Sequence, residues 1–402
     1  MKDQFLGYKR ENGVVGIRNY VLIIPALRQY NMLAHKISDM VPDTKVLISL
    51  GELGRPREDR LVLQRTMVGL GMNPNTASVL IIGSEKGAGY EELKIEKICR
   101  EISKSGKRVE MLLLTEEGGM YDLLGKGIKV ARDMVLEASR AVREPFGLEH
   151  LTLGVKCGMS DSTSGICGNP TVGRVFDKLV QAGGRAVFSE TTEVIGAEHV
   201  LVRRAKNEAV AQKILKAVEA TEQKAKSIGQ DIREINPIPE NIAGGLTTLE
   251  EKSLGAIVKA GTSTIEDVIA YAERIEKPGL YFMDAWMSSL SLPTGYAASG
   301  VHLFLYQMGG AGVPGMNFPL PAVSSGIVTP IMYLTGNYNT YERARDNMDF
   351  NSGTILQDME TPQEASARLL DMILQIASGA KTKAETFNYQ DPVELYFQGP
   401  NL

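Results

Sequence analysis

Short apolar runs alternate with helical segments along the first third of the chain, and this alternation restricts the possible folds more than any other feature. Runs of aliphatic and β-branched residues that are typical of buried strands cover positions 21–25, 45–49, 78–83 and 109–114. Segments with helical periodicity lie between these runs. Because strands that alternate with helices assemble into parallel sheets covered by helices, the pattern predicts an α/β fold.

The alternation resumes after residue 150 and indicates a second lobe. The elements predicted there are strands at 151–155, 185–190 and 279–283 and helices at 173–182, 197–229, 264–275 and 362–377. A chain of 402 residues is long enough to divide into two units. We therefore predict two lobes with mostly parallel sheets flanked by helices: an N-terminal α/β lobe over 1–147 and a C-terminal α/β lobe with the catalytic loops over 148–402.

Composition and charge argue against several classes of function. The net charge of −4, with no dominant basic stripe, argues against nucleic acid as a partner. No apolar run reaches the roughly 20 residues of a membrane-spanning helix, and the first residues lack the apolar stretch of a secretory signal. Three cysteines in a chain of this length are typical of a reducing compartment. We expect a cytoplasmic protein with neither nucleic acid nor membrane as a partner.

The segment 154–170 is the most informative stretch for function. It follows a predicted strand and contains a lysine, two thiols, several hydroxyls, a carboxylate and an amide, separated by glycines. Ligands of α/β proteins bind at loops that follow strands, and glycines let the backbone approach an anion closely. A polar turn that binds no ligand is the alternative, but few turns need this density of polar groups. We therefore predict an active site here.

Lys156 directly follows one predicted strand, and Arg18 lies just before another. The ammonium of Lys156 could hold a substrate carboxylate, or act as a base if burial lowers its pKa. The alternative is a structural ion pair with Asp161 that stiffens the loop. Arg18 suits bidentate binding of a carboxylate, and a structural salt bridge is its alternative.

Several motifs in a fixed order carry a family resemblance. They are the opening motif at 7–20, the loop motif at 156–161 with Ser164 and Asn169, the acidic segment 189–199, the block 241–255, and the segments 282–284, 294–295 and 343–353. In these motifs the chain resembles the altronate/galactarate dehydratase family, which also includes the large subunit of sulfolactate sulfo-lyase. The motifs extend over most of the chain, which makes the resemblance far more specific than any single glycine pattern.

The resemblance implies a lyase that dehydrates a sugar acid such as altronate or galactarate by β-elimination, with release of sulfite from sulfolactate as the alternative. Such a reaction needs a base for the α-proton, an acid or metal for the leaving group, and cations for the enolate charge. The implied catalytic residues are Lys156, Cys157, Ser160 and Asp161. The implied substrate-binding residues are Arg18, Asn19, Ser164, Asn169, Lys252 and Thr294.

The resemblance also implies a divalent metal, because the sugar-acid dehydratases of this family are metal-dependent. The predicted ligands are Glu190, Glu193, His199 and Asp349, although their spacing matches no standard metal motif. Hydrogen-bonded packing is the alternative for His199, and helix capping is the alternative for Asp349. A thiolate ligand such as Cys157 would favour Fe²⁺ over calcium or magnesium, and a small buried thiol is its alternative.

The sequence departs from the family pattern at positions that bear on specificity. Where relatives carry histidine and cysteine after the second and third strands, the segments 51–59 and 83–87 contain Arg55, Arg57 and Lys86. Added positive charge would suit a substrate with a second anionic group. Since the chain opens at the large-domain motif, the resemblance implies a separate small subunit in an oligomer. A non-catalytic homologue that binds a small acid or scaffolds a partner is the alternative.

The segment 394–399, with the sequence Glu-Leu-Tyr-Phe-Gln-Gly, resembles a protease-cleavage linker that lacks its asparagine. It is either an added remnant or a native tail, and the sequence assigns it no function.

Overall fold

A computed structural model of the chain describes residues 3–48, 54–85, 89–310, 324–391 and 393–398. Within these ranges the strands are β1 (Gln4–Lys9), β2 (Val15–Gly16), β3 (Tyr20–Pro25), β4 (Thr44–Val46), β5 (Thr76–Gly83), β6 (Arg108–Leu113), β7 (Glu144–Gly147), β8 (Thr152–Gly158), β9 (Arg185–Phe188), β10 (Ile265–Ala270), β11 (Gly279–Asp284), β12 (Leu303–Met308), β13 (Ile331–Thr335) and β14 (Phe350–Asn351).

The α-helices of the same ranges connect most of these strands. They are α1 (Asn31–Met40), α2 (Arg57–Met72), α3 (Ile95–Ser103), α4 (Met120–Ala138), α5 (Asn169–Gln181), α6 (Glu198–Val202), α7 (Glu208–Ser227), α8 (Pro239–Ala243), α9 (Leu249–Ala256), α10 (Ser291–Ser299), α11 (Tyr338–Arg343), α12 (Pro362–Ala377) and α13 (Lys383–Phe387). The helix predicted around 362–377 is confirmed as α12, which Thr361 caps and in which Pro362 occupies the first turn.

The first four predicted strands form a parallel sheet in the order β4-β3-β5-β6. Its central strands β3 and β5 are almost entirely buried, since helices cover the faces of a parallel sheet. This confirms the predicted α/β class for the N-terminal part of the chain.

A larger parallel sheet of seven strands has the order β10-β11-β9-β8-β12-β13-β14. The strands β9, β10 and β11 lie on one side of β8, in the spatial order β9, β11, β10. The chain then returns, and β12 pairs with the other edge of β8. The strand order therefore reverses between β8 and β12. In doubly wound sheets, ligands bind beyond the carboxyl ends of the strands at such a reversal, which is where the segment 154–170 continues from β8.

A third sheet is antiparallel and has the order β2-β1-β7. The sequence patterns did not predict it, because its strands are short and partly exposed. One apolar core joins the two large sheets: it contains Ile24 of β3, Leu70 of α2, Tyr296 of α10 and Phe304 of β12. The predicted lobe boundary between residues 147 and 148 stays a prediction.

Two of the predicted helices are wrong in part. The segment 264–275 contains the strand β10, because its β-branched residues Ile265 and Ile269 are buried while the strand pairs in parallel with β11. The long helix predicted at 197–229 is divided into α6 and α7. The division occurs because the Asn207 side chain accepts a hydrogen bond from the Val210 N–H and begins a new helix.

The described part of the C-terminal segment packs against the fold. Leu395 is buried, and the Tyr396 ring meets the Trp286 ring edge-on with 4.8 Å between centroids. The Gln398 N–H donates to Asp59 Oδ1 at 2.6 Å. The segment therefore contributes to the core whatever its origin. Among the described helices, none combines the length and apolar character that crossing a bilayer requires.

Candidate active site

The loop after β8 lies at the reversal of strand order in the seven-stranded sheet. It turns through Asp161 into a π-helical turn, Ser164–Gly168, which leads directly into α5. Asp161 Oδ2 accepts hydrogen bonds from the Gly310 N–H and from Asn337 Nδ2, both at 2.8 Å. One carboxylate thus ties the loop after β8 to the segments that follow β12 and β13.

A buried group of ionisable side chains adjoins this loop, and we call it the charge cluster. Every member is at most 5% exposed. Two members lie on β8, two follow β9, one lies on α9, and one lies in the 3-10 turn after α9. In chain order they are Lys156, Cys157, Glu190, Glu193, Lys252 and Lys259.

Glu190 binds three members of the charge cluster. Its Oε1 accepts a hydrogen bond from Lys156 Nζ at 3.0 Å, and its Oε2 accepts from the Cys157 N–H at 3.0 Å. Lys259 Nζ donates to the same Oε2 at 2.5 Å. The alternative structural partner that the sequence suggested for Lys156 was Asp161, but the partner in the structure is Glu190.

Glu193 shares Lys259 with Glu190 and also contacts Cys157 and Lys252. Its Oε2 accepts a hydrogen bond from Lys259 Nζ at 3.1 Å and from the Cys157 thiol at 2.8 Å. Its Oε1 lies 3.5 Å from Lys252 Nζ. Three ammonium groups therefore surround two carboxylates, and the charge cluster carries a net charge of +1 while Cys157 is a thiol.

The electrostatics of the charge cluster keep Lys156 and Lys259 charged. Burial alone would lower the pKa of Lys156, but Glu190, Tyr306, Glu193 and Cys157 together outweigh burial and the pKa is raised. The same balance raises the pKa of Lys259 far above its usual value. The expectation that burial lowers the pKa of Lys156 is therefore wrong, and Lys156 is held as a cation rather than as a free base.

The pKa values of Glu193 and Cys157 are shifted in opposite directions. Burial would raise the pKa of Glu193, but Lys259, Lys252 and Lys156 together lower it to about 2. Burial and the Glu193 carboxylate raise the pKa of the Cys157 thiol well above its usual value. Glu193 is thus a carboxylate and Cys157 a protonated thiol in the neutral pH range.

The backbone at Glu190 is strained. Its φ of +77° lies in the left-handed region, which a residue with a side chain occupies at a cost of about 1 kcal/mol or more. This conformation places the carboxylate between Lys156 and Lys259. Such strain persists where surrounding contacts hold the residue in place, and it occurs preferentially at functional sites.

A cleft of about 340 Å³ opens beside the charge cluster, between the π-helical turn and α9. Its polar lining residues are Ser160, Asp161, Ser162, Ser164, Asn169, Glu251 and Lys252. Lys252 belongs to both the cleft and the charge cluster: its Nζ donates to Asn236 Oδ1 at 2.7 Å and to Asn241 Oδ1 at 3.0 Å. The cleft is large enough for a small organic acid.

Two buried polar atoms of the cleft lack hydrogen-bond partners within the described ranges. They are Ser160 Oγ, on a residue 5% exposed, and Asn169 Oδ1, on a residue 1% exposed. The orientation of the Asn169 amide follows from its Nδ2, which donates to the Gly255 carbonyl at 2.9 Å. Buried polar atoms are nearly always paired in folded proteins. A ligand that carries hydroxyl groups would pair both atoms.

Arg18 and Asn19, predicted as substrate-binding residues, make contacts within the fold. The Arg18 guanidinium donates twice to Glu385, at 2.7 Å each, and also to the carbonyls of Ile17, Ile376 and Ala380. Its donors are therefore satisfied in an ion pair, the structural alternative considered for it. Asn19 accepts from Arg10 Nη1 and donates to the Ala138 carbonyl.

Thr294 lies apart from the cleft. It is buried in α10, which packs so closely on α2 that a Cβ at Gly69 would lie 2.3 Å from the Ala298 carbonyl oxygen. Neither it nor Arg18 is among the residues that line the cleft. Ser164 does line the cleft, where its Oγ accepts a hydrogen bond from the Asp161 N–H at 3.2 Å.

Only two of the predicted metal ligands come together. Glu190 and Glu193 lie with Cys157, and one donor atom from each lies within 4.8 Å of the others. His199 is exposed on α6. Asp349 accepts hydrogen bonds from the N–H groups of Tyr333 and Lys383, and burial raises its pKa to about 6.

The thiol and the two carboxylates could hold a metal ion by their mutual distances. A thiolate with two carboxylates is a ligand set suited to iron or zinc. However, Lys259 Nζ already contacts the donor atom of each residue, at 3.0 Å from Cys157 Sγ and 2.5 Å and 3.1 Å from the glutamate oxygens. The described residues therefore do not fit a metal ion and Lys259 together.

Sequence reasoning missed Lys259, Asn236 and Asn241. The signal for Lys259 was weak but present: it follows Lys252 by seven residues, two helical turns along one face, directly after the block 241–255. Asn236 and Asn241 orient Lys252 from segments with no strong periodicity. Asn236 and Asn241 reach Lys252 only because the segment before α9 folds back toward that helix.

Two family descriptions match the chain. Residues 148–398 match the family described as "D-galactarate/Altronate dehydratase, C-terminal". Residues 7–139 match the one described as "D-galactarate dehydratase/Altronate hydrolase, second domain". The resemblance noted in the sequence motifs is therefore confirmed over most of the chain.

Individual proteins show similarity over comparable lengths. The chain is 34% identical over 393 residues to the (2R)-sulfolactate sulfo-lyase subunit beta of Chromohalobacter salexigens, with 96% of each chain covered. It is 30% identical over 398 residues to the altronate dehydratase of Bacillus subtilis, covering 96% of this chain and 76% of that protein. It is 32% identical over 333 residues to the galactarate dehydratase (L-threo-forming) of Escherichia coli, covering 81% of this chain and 60% of that protein.

Proposed function

Because the chain belongs to the D-galactarate/altronate dehydratase family, we propose that it is the large subunit of a hydro-lyase that dehydrates a small sugar acid by β-elimination. One observation carries the proposal: a cleft with unpaired buried polar atoms shares Lys252 with a charge cluster of net positive charge. Such a cleft attracts a carboxylate and offers partners to hydroxyl groups, and a sugar acid carries both.

Lys252 is the cation proposed to hold the substrate carboxylate. Its ammonium is oriented by two amide oxygens, and its contact with Glu193 Oε1 is long at 3.5 Å. A substrate carboxylate in the cleft can therefore recruit the donor that points toward Glu193. When the α-proton leaves, negative charge moves onto the carboxylate oxygens. A preoriented ammonium therefore stabilises the transition state more than it stabilises the bound substrate.

Ser160 and Asn169 are proposed to bind the substrate hydroxyls. Asn169 Oδ1 can only accept a hydrogen bond, whereas Ser160 Oγ can donate or accept. A hydroxylated carbon chain between them satisfies both atoms and presents a fixed face to Lys252. Lys156, Cys157 and Glu190 do not line the cleft; in the proposal they position Glu193, which in turn places Lys252.

A direct activity measurement tests this proposal. The purified chain, alone and with its small partner subunit, would be incubated with galactarate, altronate and sulfolactate, and 2-keto acid formation would be followed by semicarbazone absorbance. Lys252→Met is expected to lower kcat/KM by at least about 100-fold. Lys213→Met is the matched control, because that lysine lies on α7 in an exposed ion pair with Asp267. Equal activity of the two variants would contradict the role of Lys252.

Release of sulfite from a sulfo-acid is the second candidate, favoured by one specific observation. The chain is 34% identical over 393 residues to the sulfo-lyase subunit, compared with 30% over 398 residues to the altronate dehydratase. In this reaction a proton leaves C2, sulfite leaves C3, and the enol product becomes a keto acid. Sulfite detection with a disulfide reagent in the same assay separates the two candidates.

A small partner subunit is part of the proposal, since that relative is named as subunit beta. Light scattering of the chain with and without the candidate subunit would show whether a complex forms. If substrate binds without turnover in every combination, the chain would instead be a non-catalytic binding homologue.

A further inference from the structure

Lys259 occupies the middle of the three donor atoms that would otherwise make a metal site. Its Nζ lies 3.0 Å from Cys157 Sγ, 2.5 Å from Glu190 Oε2 and 3.1 Å from Glu193 Oε2. An ammonium has three N–H donors, and each of the three atoms receives one. The lysine is 1% exposed.

A divalent ion and this ammonium exclude each other. Metal–ligand bonds to thiolate and carboxylate are about 2.0–2.3 Å long, so an ion bound by the three atoms would stand within the space that the nitrogen fills. Moving the ammonium aside would leave a buried cation next to a divalent one, where repulsion is weakly screened.

The charges of the site allow either the lysine or a divalent ion, but not both together. With Lys156, Lys252 and Lys259 against Glu190 and Glu193, the charge cluster carries +1. Replacing Lys259 by a divalent ion, with loss of the Cys157 thiol proton, leaves the same +1. Adding the ion while Lys259 remains raises the charge to +2 in a site closed to solvent.

We propose that the Lys259 ammonium is the built-in cation of this site, so that the Cys157–Glu190–Glu193 group holds no metal in the native protein. Removal of the lysine side chain is expected to convert the group into a divalent metal site that uses the Cys157 thiolate. This inference concerns the ion content of the site and is independent of the reaction that the chain catalyses.

Anaerobic titration with Co²⁺ tests the proposal, because a cobalt–thiolate bond gives a charge-transfer absorption band. The wild-type protein is expected to show no such band. Lys259→Ala is expected to bind one equivalent of Co²⁺ with the band, and Lys259→Ala combined with Cys157→Ser is expected to lack it. Lys206→Ala, at an exposed lysine paired with Glu266, is the matched control and should behave as wild type.

A thiolate band in the wild-type protein that Cys157→Ser removes would overturn the proposal, even if Lys259→Ala does not fold. A folded Lys259→Ala variant that binds no Co²⁺ at millimolar concentration would also overturn it. Wild-type uptake of Co²⁺ without the band, unchanged in Cys157→Ser, supports the proposal and places that ion at another site. None of these readouts depends on enzyme turnover, so they remain decisive if the proposed lyase activity is absent.

Discussion

Replacing Arg18 with methionine is expected to destabilise the fold without a direct effect on substrate binding. The side chains of Arg18 and Glu385 are only 8% and 5% exposed and share two hydrogen bonds of 2.7 Å. The pair joins the start of β3 to α13, which are more than 360 residues apart in the sequence. Methionine retains much of the packing volume but leaves Glu385 as a buried carboxylate without its cation, with Tyr20 Oη and the Thr382 N–H as its remaining donors.

The expected cost follows from the burial of this pair. Removal of one partner of a buried ion pair typically costs about 3–5 kcal/mol, because the remaining charge is desolvated without compensation. Tyr20 Oη still donates to Glu385 at 2.9 Å and offsets a part of that cost. We therefore expect Arg18→Met to lower the free energy of unfolding by about 3 kcal/mol.

Urea denaturation, followed by circular dichroism and by the fluorescence of Trp286, would measure the change. Arg132→Met is the matched control: its pair with Asp133 is 60% and 52% exposed, so its loss should cost less than about 1 kcal/mol. Adding Glu385→Leu to Arg18→Met should recover part of the stability by removing the unpaired charge. A stability loss below about 1 kcal/mol for Arg18→Met, together with a raised KM, would refute this reasoning and restore the predicted substrate-binding role.

Three further predictions concern individual side chains. Because the folded pKa of Glu193 is lowered to about 2 from 4.5, its stabilising contribution is complete above about pH 5 and falls by about 2 kcal/mol by pH 3. Urea midpoints from pH 6 to pH 3 should show this slope, and Glu193→Gln should flatten it; an unchanged slope would contradict the lowered pKa. Asn207→Ala should cost about 1 kcal/mol of stability by removing the cap of α7, and Asn207→Ser should retain most of it; equal losses in thermal melts would exclude a capping role. Cys157 is buried with a raised pKa, so it should resist a disulfide reagent at pH 8 until urea unfolds the chain, and rapid native labelling of Cys157 would disprove its enclosure.

Local sequence patterns predicted the elements that surround the site. The strand β8, the polar loop 154–170 and the helix α12 follow from periodicity and capping signals that lie within the segments themselves. The segment 264–275 could not be assigned in this way. Its spacing of apolar residues fits a helix, and only pairing with β11 selects the strand.

The partners of the buried charges could not be read from local patterns. Lys156 pairs with a glutamate 34 residues away, and Lys259 contacts a thiol 102 residues away. The spacing of residues along the sequence does not indicate which lysine pairs with which acid. The return of the chain to β12 on the far edge of β8 decides which of them meet.

The sequence by itself determined the α/β class, the family, and the concentration of polar residues in the loop after β8, because hydrophobic periodicity and ordered motifs are local properties of a chain. Only the tertiary structure decided that Arg18 pairs with Glu385 and that Lys259 contacts Cys157, Glu190 and Glu193 together. The physical reason is that a buried charge is stable only beside its partner, and the partner is chosen by the topology of the sheet and not by the spacing of residues along the chain.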